Sequence, residues 1–206
     1  MGRYTGPKDR LSRREGINLM LKGARSESGK VERRMTPPGM HTWRRRRGSD
    51  FSLRLREKQK VKRYYGIRDR QFMNLFRKAE GMKGDTGAAL LSLLERRLDN
   101  VVHKLGFGES RSAARQTVVH GHIYVNGRRV NIPSYQVKPG DVIGVKPSDR
   151  SQNLIRHRLE ELGEPRVQEW LQLDMVNLKG TVARYPTRDD VEIPVETHLI
   201  IEFCSR

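Results

Sequence analysis

The sequence predicts an α+β fold in which a helical first half is followed by a small, mainly antiparallel sheet. Apolar residues recur at helical spacing from about residue 50 to residue 120, and the period changes to two after Gly121. The turn dipeptides Asn126-Gly127 and Pro139-Gly140 then separate short alternating segments. We therefore expect four parts: a basic, Pro- and Gly-rich arm (1–43), a helical domain (44–94), a helix–helix–hairpin module (95–150), and an acidic helix and strand tail (151–206).

Positive charge is concentrated near the beginning of the chain. The 206 residues include 42 Lys and Arg against 24 Asp and Glu, for a net charge of +18. Residues 1–84 alone hold 25 of the basic and 8 of the acidic side chains. This asymmetry indicates nucleic acid rather than a membrane as the partner, because the basic part lacks the apolar helical face that membrane binding requires. No apolar run approaches the roughly 18 residues of a membrane span, and the single cysteine, Cys204, excludes a disulfide framework.

The arm and the first helices differ in their capacity to fold alone. Residues 1–43 carry few apolar side chains and a breaker cluster at 36–39, so we expect the arm to become ordered on its partner. Apolar side chains at helical spacing predict a first helix over about 49–65 and a second over 72–79. Each of these helices ends at a glycine.

The most regular helical pattern lies in the middle of the chain. Asp85 or Thr86 can cap a helix whose apolar stripe runs from Leu90 to Leu105. We expect one continuous helix that ends at Gly106. A short amphipathic helix should follow from Ser110 to Gly121, with its two arginines four residues apart and therefore on one face.

Two turns organise the predicted sheet. Residues 122–130 form a strand, an Asn-Gly turn and a second strand, which is the strongest short-range signal for a hairpin. Residues 135–145 repeat this arrangement around the Pro-Gly turn. In the tail, the pattern predicts a helix over 154–162 and strands over 191–195 and 199–204.

Basic side chains are the candidate binding groups, because guanidinium forks bind phosphate oxygens bidentately. Two tracts provide the first set: Arg44, Arg45, Arg46, Arg47, Lys58, Lys60, Lys62 and Arg63. The helix–helix–hairpin module provides the second set: Arg96, Arg97, Ser110, Arg111, Arg115, His120, His122, Asn126, Arg128 and Arg129. Taken alone, a pair such as Arg128 and Arg129 favours an ordinary solvated face. Their combination with the basic arm favours contact with RNA.

Catalysis and metal binding have little support in the sequence. His120 and His122 could form a metal pair, but no third ligand accompanies them at a suitable spacing. The chain has no phosphate-binding loop, no nucleophile elbow and no convincing acid–base pair. We therefore expect no enzymatic activity, no cofactor and no small-molecule substrate.

Three stretches of the module are recognisable: LLERRLDNVV at 93–102, SRSAARQ at 110–116, and GHIYVNGRRVNIPSY at 121–135. They closely resemble the alpha-L type RNA-binding module of the small-subunit ribosomal protein family four. Residues 3–7, 37–39, 55–60 and the segment from 185 to the end resemble the same family. The resemblance thus covers essentially the entire chain.

This resemblance implies a primary binder of 16S rRNA that nucleates assembly of part of the small ribosomal subunit. Members of the family also contact ribosomal protein five at an interface linked to decoding accuracy, together with other small-subunit proteins, and lie near the entry path of messenger RNA. A cytoplasmic location in the small subunit is implied, and an organelle of bacterial descent stays open.

One feature departs from many relatives, which carry four zinc-binding cysteines in the arm. The corresponding positions here are Asp9, Ser12, Ser26 and Val31. Because a closed zinc site depends on thiolate ligands, we expect no zinc.

Two other functions use a similar module. Helix–hairpin units are attached to RNA pseudouridine synthases and tyrosyl-tRNA synthetases, but those enzymes need a separate catalytic domain, and no motif outside residues 95–150 indicates one. A stress factor that rescues dissociated large subunits is the other alternative. Its known form is short, and it would leave the arm and the tail unexplained.

Overall fold

The computed structural model describes residues 4–23, 36–40, 48–163 and 167–205. Its helices and strands, in chain order, are α1 (Lys8–Glu15), α2 (Asp50–Tyr64), α3 (Asp69–Glu80), α4 (Thr86–Glu95), α5 (Leu98–Lys104), α6 (Arg111–Val119), β1 (Ile123–Val125), β2 (Arg128–Arg129), β3 (Val142–Val145), α7 (Asp149–Leu162), β4 (Leu171–Asp174), β5 (Lys179–Val182) and α8 (Thr197–Cys204). The chain divides into two compact units, one formed by 1–90 with 193–206 and the other by 91–192. In the described ranges, no helix combines the length and the apolar character that crossing a bilayer requires. The predicted α+β class is confirmed.

The first unit is helical and is built around α2. Ser49 caps this helix by accepting a hydrogen bond from the Ser52 backbone nitrogen at 3.3 Å. Helix α8 lies against α2, where Arg54 pairs with Glu202 at 2.7 Å and the Phe51 ring lies 5.4 Å from the Phe203 ring. The last helix of the chain thus packs within the same unit as α2.

The second unit is a five-stranded antiparallel sheet packed against α5, α6 and α7. The strand order is β2-β1-β3-β5-β4. Strands β1 and β2 form the predicted hairpin, with Val125 opposite Arg128. Asn126 and Gly127 take positive φ values of 50° and 76°, which a tight two-residue turn requires. The hairpin prediction is therefore confirmed.

One buried cluster holds the second unit together. Val101, Val102 and Leu105 of α5 pack with Val118 of α6 and with Ile143 of β3. The same cluster includes buried residues of α7 and the fully buried Trp170. This core makes the unit a stiff frame for the polar side chains around it.

The prediction of one continuous helix from the cap at Asp85 or Thr86 to Gly106 is wrong. Helix α4 ends at Glu95 and α5 begins at Leu98, because Arg97 adopts an extended conformation and forms an isolated bridge with Gln136. The backbone nitrogen of Leu98 donates to the Tyr135 carbonyl at 2.9 Å. Pairing with this segment provides hydrogen bonds that replace those of the helix.

Two strand predictions are also wrong. The tail strands are β4 and β5, not 191–195 and 199–204, and the latter segment lies in α8. Ile200 of α8 is fully buried, so tertiary packing determines the conformation of this apolar segment. Of the second predicted hairpin, only β3 is a strand, although Gly140 has the positive φ of 86° that a turn of this kind needs.

Candidate nucleic-acid interface

A buried carboxylate organises the arginines of α5 and α6. Asp99 accepts two hydrogen bonds from Arg97, at 3.1 and 2.8 Å, and one from Arg115 Nη1 at 3.0 Å. The Arg97 side chain is only 2% exposed, whereas that of Arg115 is 23% exposed. Arg97 is therefore part of the interior, and Arg115 is held with part of its guanidinium at the surface.

Arg111 is held in a similar way by the residue next to Asp99. Its Nε donates to the Asn100 side-chain oxygen at 3.0 Å, and Asn100 in turn donates to Glu95 Oε2 at 2.7 Å. Glu95 is fully buried and pairs with Lys104 at 3.3 Å. Arg111 and Arg115 thus share one face of α6, as predicted, and both reach toward α5. Because each hydrogen bond restricts a guanidinium, the two groups are oriented before any ligand binds.

Ser110 lies immediately before α6 and caps this helix. Its hydroxyl oxygen accepts a hydrogen bond from the Ala113 backbone nitrogen at 3.3 Å, which is the geometry of a helix N-cap. The structure thus gives Ser110 a local structural role, and its predicted RNA contact stays a prediction.

Arg96 lies at the surface beside an aromatic ring. Its Nε donates to the Val137 carbonyl at 2.9 Å, and its guanidinium lies 4.4 Å from the centroid of the Tyr185 ring. The Tyr185 side chain is half exposed. This stacking immobilises the guanidinium while part of the pair stays open to solvent.

The β1–β2 hairpin presents two exposed cations of the predicted set. Arg128 and Arg129 are exposed, and the Arg129 guanidinium lies over Gly121. Asn126 supports the turn, since its side chain donates to Asp141 at 2.8 Å and accepts from the Val142 nitrogen at 2.9 Å. The two arginines therefore extend from a turn that is fixed by hydrogen bonds.

The two histidines beside the hairpin have different environments. His120 is exposed, whereas His122 Nδ1 lies 2.9 Å from the Ser151 hydroxyl. Burial lowers the pKa of His122, and the nearby charges of His120 and Arg158 lower it further. The neutral form of His122 is thus favoured at neutral pH.

The basic residues of α2 are largely used within the first unit. Lys58 is 7% exposed and pairs with Asp69 at 3.2 Å, and Lys62 pairs with the same carboxylate at 3.6 Å. Lys60 pairs with Glu57 at 2.5 Å. Arg63 pairs with Glu15, and burial lowers the pKa of its guanidinium despite that contact. Arg44, Arg45, Arg46 and Arg47 lie outside the described residues.

Two of the four positions that correspond to zinc ligands can be described. Asp9 pairs with Lys22 at 2.5 Å, and the Ser12 hydroxyl accepts from the Leu19 backbone nitrogen at 3.3 Å. Ser26 and Val31 lie outside the described residues. The absence of zinc stays a prediction.

Basic side chains of α7 and of the loop before it were not among the predicted binding residues. Lys146 and Arg150 are exposed, and Arg158 Nη1 donates to the Thr117 hydroxyl at 2.8 Å. Of these three, Arg158 lies in the net acidic tail, which obscured it. The helical spacing of Arg150, Leu154 and Arg158 is the signal that could have placed them on one face.

A stiff frame that displays oriented guanidinium groups is typical of a protein that binds nucleic acid through its phosphates. Residues 3–95 match the family described as ribosomal protein S4/S9 N-terminal domain, and residues 96–143 match the S4 domain. The small ribosomal subunit protein uS4 of Thermus thermophilus is 56% identical over 209 residues, with the full length of both chains covered.

Proteins from other organisms show the same relationship. Protein uS4A of Symbiobacterium thermophilum is 51% identical, and protein uS4 of Thermoanaerobacter sp. X514 is 50% identical, each over 208 residues and the full length of both chains. The chain belongs to the uS4 family of small ribosomal subunit proteins.

Proposed function

We propose that this chain is a structural constituent of the small ribosomal subunit that binds 16S rRNA and transforms no substrate. The observation that carries the proposal is the pair of oriented arginines on α6 together with the exposed Arg128 and Arg129 in the same compact unit. The full-length similarity to proteins named as small-subunit components supports it.

The binding mechanism depends on preorganisation. The buried core of the second unit and the hydrogen bonds to Asp99 and Asn100 fix the cations in advance, so little conformational entropy is lost on binding. The A-form major groove is too narrow for side chains to read, and recognition therefore depends mainly on the shape of the RNA and the positions of its phosphates. Binding at a multi-helix junction in this way would nucleate assembly of part of the subunit.

The predicted lysines and arginines fall into two groups within this proposal. Arg96, Arg111, Arg115, Arg128 and Arg129 contact RNA phosphates, with contributions from the half-buried basic residues of α2 and from Arg44 to Arg47. Lys58, Lys60 and Arg97 act as positioning residues, because each is buried and already paired with a carboxylate.

Protein contacts form the second part of the proposal. We infer that ribosomal protein five and other small-subunit proteins dock on the first unit, where Phe51 and Leu53 expose apolar surface. Such an interface would link the chain to decoding accuracy. The proposed location is the small subunit in the cytoplasm, near the entry path of messenger RNA.

Sedimentation separates this function from its alternatives. The purified protein is mixed with dissociated subunits and centrifuged through a gradient of increasing salt. Comigration with small subunits is expected, whereas stable association with large subunits would favour a rescue factor. Pseudouridine formation in RNA incubated with the protein would favour a modifying enzyme.

A further inference from the structure

A wide cleft in the second unit involves residues that the proposed binding set leaves out. It encloses about 1260 Å³ between the end of α6, the start of β1, strand β2 and helix α7. This volume exceeds the roughly 300–1,000 Å³ typical of small-molecule pockets, which are also lined mainly by apolar side chains. Of the described residues that line the cleft, Leu154 is the one large apolar residue. Size and lining therefore favour an extended polar ligand.

Positive charge dominates the cleft. Among the described residues that line it, the permanent cations are Arg129, Lys146, Arg150 and Arg158, and the acids are Glu109 and Glu161. Three histidines, at positions 120, 122 and 157, add positive charge when protonated. A cleft of one predominant sign attracts a ligand of the opposite charge.

Two of these cations, both outside the predicted binding set, are free to bind. Arg158 is engaged with the Phe107 carbonyl and the Thr117 hydroxyl. Lys146 and Arg150 are exposed, and neither pairs with an acidic residue in the described part of the chain. Their positive charges are therefore available to a ligand at no cost in broken ion pairs.

The cleft is also bordered by the hairpin. Arg129 of β2 lines it directly, and Arg128 precedes Arg129 on the same exposed strand. On the other side, Asn153 and Ser148 offer hydrogen-bonding groups from α7 and its cap. A chain of phosphates crossing the hairpin would thus find further cations and polar groups in the cleft.

We propose that this cleft holds the sugar–phosphate backbone of an RNA strand through Arg129, Lys146 and Arg150. The inference rests on the proposed function, and it adds a second contact surface on α7 and the loop before it. Most of that surface lies beyond residues 96–143, the range that matches the S4 domain. Residues at the start of α7 and in the loop before it then contribute directly to RNA binding.

The test compares two charge-reversal variants of the full-length protein. Lys146→Glu combined with Arg150→Glu removes the two cations that α7 and the loop before it add to the cleft. Arg156→Glu combined with Lys179→Glu is the matched control, since both residues are exposed, lie outside the cleft and change the net charge equally. Circular dichroism checks that both variants melt like the unmodified protein.

Binding to 16S rRNA is measured by filter retention at several salt concentrations. We expect the cleft variant to bind at least about tenfold more weakly than the control, and the slope of log affinity against log salt to become shallower by about 1.4–1.8, as two lost phosphate contacts require.

Equal affinities of the unmodified protein and both variants would overturn the cleft proposal and leave the proposed function intact. Equal weakening of both variants would also overturn it, because the effect would then reflect net charge alone. Failure of the unmodified protein to bind would contradict the proposed function itself.

Discussion

At the scale of single residues, Asp99 connects an interior arginine to a surface one. Its carboxylate binds the buried Arg97 and the partly exposed Arg115 at once. A buried charge network of this kind is strongly destabilised when one partner is removed, since the remaining charges stay buried without compensation. Asp99 is thus required for both the stability of the unit and the position of Arg115.

We expect Asp99→Asn to lower the free energy of unfolding by about 3 kcal/mol, because two guanidinium groups lose their shared counter-charge. Urea denaturation measures this difference. Asp189→Asn serves as the control, since Asp189 is exposed. Equal stability of the two variants would show that the network contributes nothing beyond surface charge.

The exposed arginines of the hairpin should affect binding and leave stability unchanged. We expect Arg128→Glu with Arg129→Glu to weaken 16S rRNA binding by about 3 kcal/mol, since each lost contact with a charged phosphate is worth roughly 1.5–3 kcal/mol. Lys138→Glu, at another exposed turn, is the control. Affinity equal to that of the control would remove both arginines from the binding set.

Reversal of Arg111 and Arg115 is a poorer test of RNA binding, because a glutamate at either position would lie beside Asp99 or Asn100.

His103 makes the stability of the second unit depend on pH. Burial lowers its pKa to about 4, and its Nδ1 lies 3.0 Å from the Gly108 carbonyl. The unfolded chain takes up a proton near pH 6.5 and the folded chain only near pH 4, so the unfolded state binds more protons between these values. The free energy of unfolding should therefore fall by roughly 2–3 kcal/mol as the pH is lowered across this range.

The measurement is urea denaturation at pH 6.5 and pH 4.5 for the unmodified protein and for His103→Gln. The variant should lose part of the pH dependence, whereas His157→Gln, at an exposed position, should retain it. Equal pH dependence of all three proteins would contradict the assignment.

At the scale of elements, two glycines constrain the second unit for different reasons. Gly127 has a φ of 76° and open space around the position of a Cβ atom, so an added side chain costs only backbone strain. Gly108 has no such φ, but a Cβ atom there would lie 2.6 Å from the Ala114 backbone nitrogen. Substitution at Gly108 must therefore move helix α6.

We expect Gly127→Ala to lower the free energy of unfolding by about 1 kcal/mol and Gly108→Ala by about 3 kcal/mol. Thermal melting of both variants tests this order. A smaller effect at Gly108 would mean that the packing of α6 against the 106–108 segment adjusts freely.

The elements also show how far the sequence determines the fold. The α5–α6 pair, the β1–β2 hairpin and α7 follow from periodicity, caps and the Asn-Gly turn, which are all local signals. The break at Arg97 and the helical state of 199–204 depend on contacts with residues distant in sequence, at Gln136 and on α2. Local patterns contain no information about such contacts.

The candidate binding site likewise combines residues that the sequence identifies with residues that only the folded structure reveals. Residue type alone identified Arg115, Arg128 and Arg129 as cations of the module. It could not separate them from Arg97 and Lys58, because burial depends on the folded core. It also missed Lys146 and Arg150, which the fold brings to the same cleft as the hairpin.

At the scale of the whole molecule, the net charge of +18 far exceeds what solubility requires and is concentrated in the first 84 residues. The described part of the second unit adds oriented cations on a rigid frame. Together these features predict a protein that binds a large folded RNA by its shape and its phosphates.

Chemical footprinting of 16S rRNA with and without the protein, at physiological ionic strength, tests this claim most directly. The account predicts protection of a compact set of backbone positions from adjoining helices of one junction, and loss of part of that set with Arg128→Glu and Arg129→Glu. An identical cleavage pattern with and without the protein would contradict it.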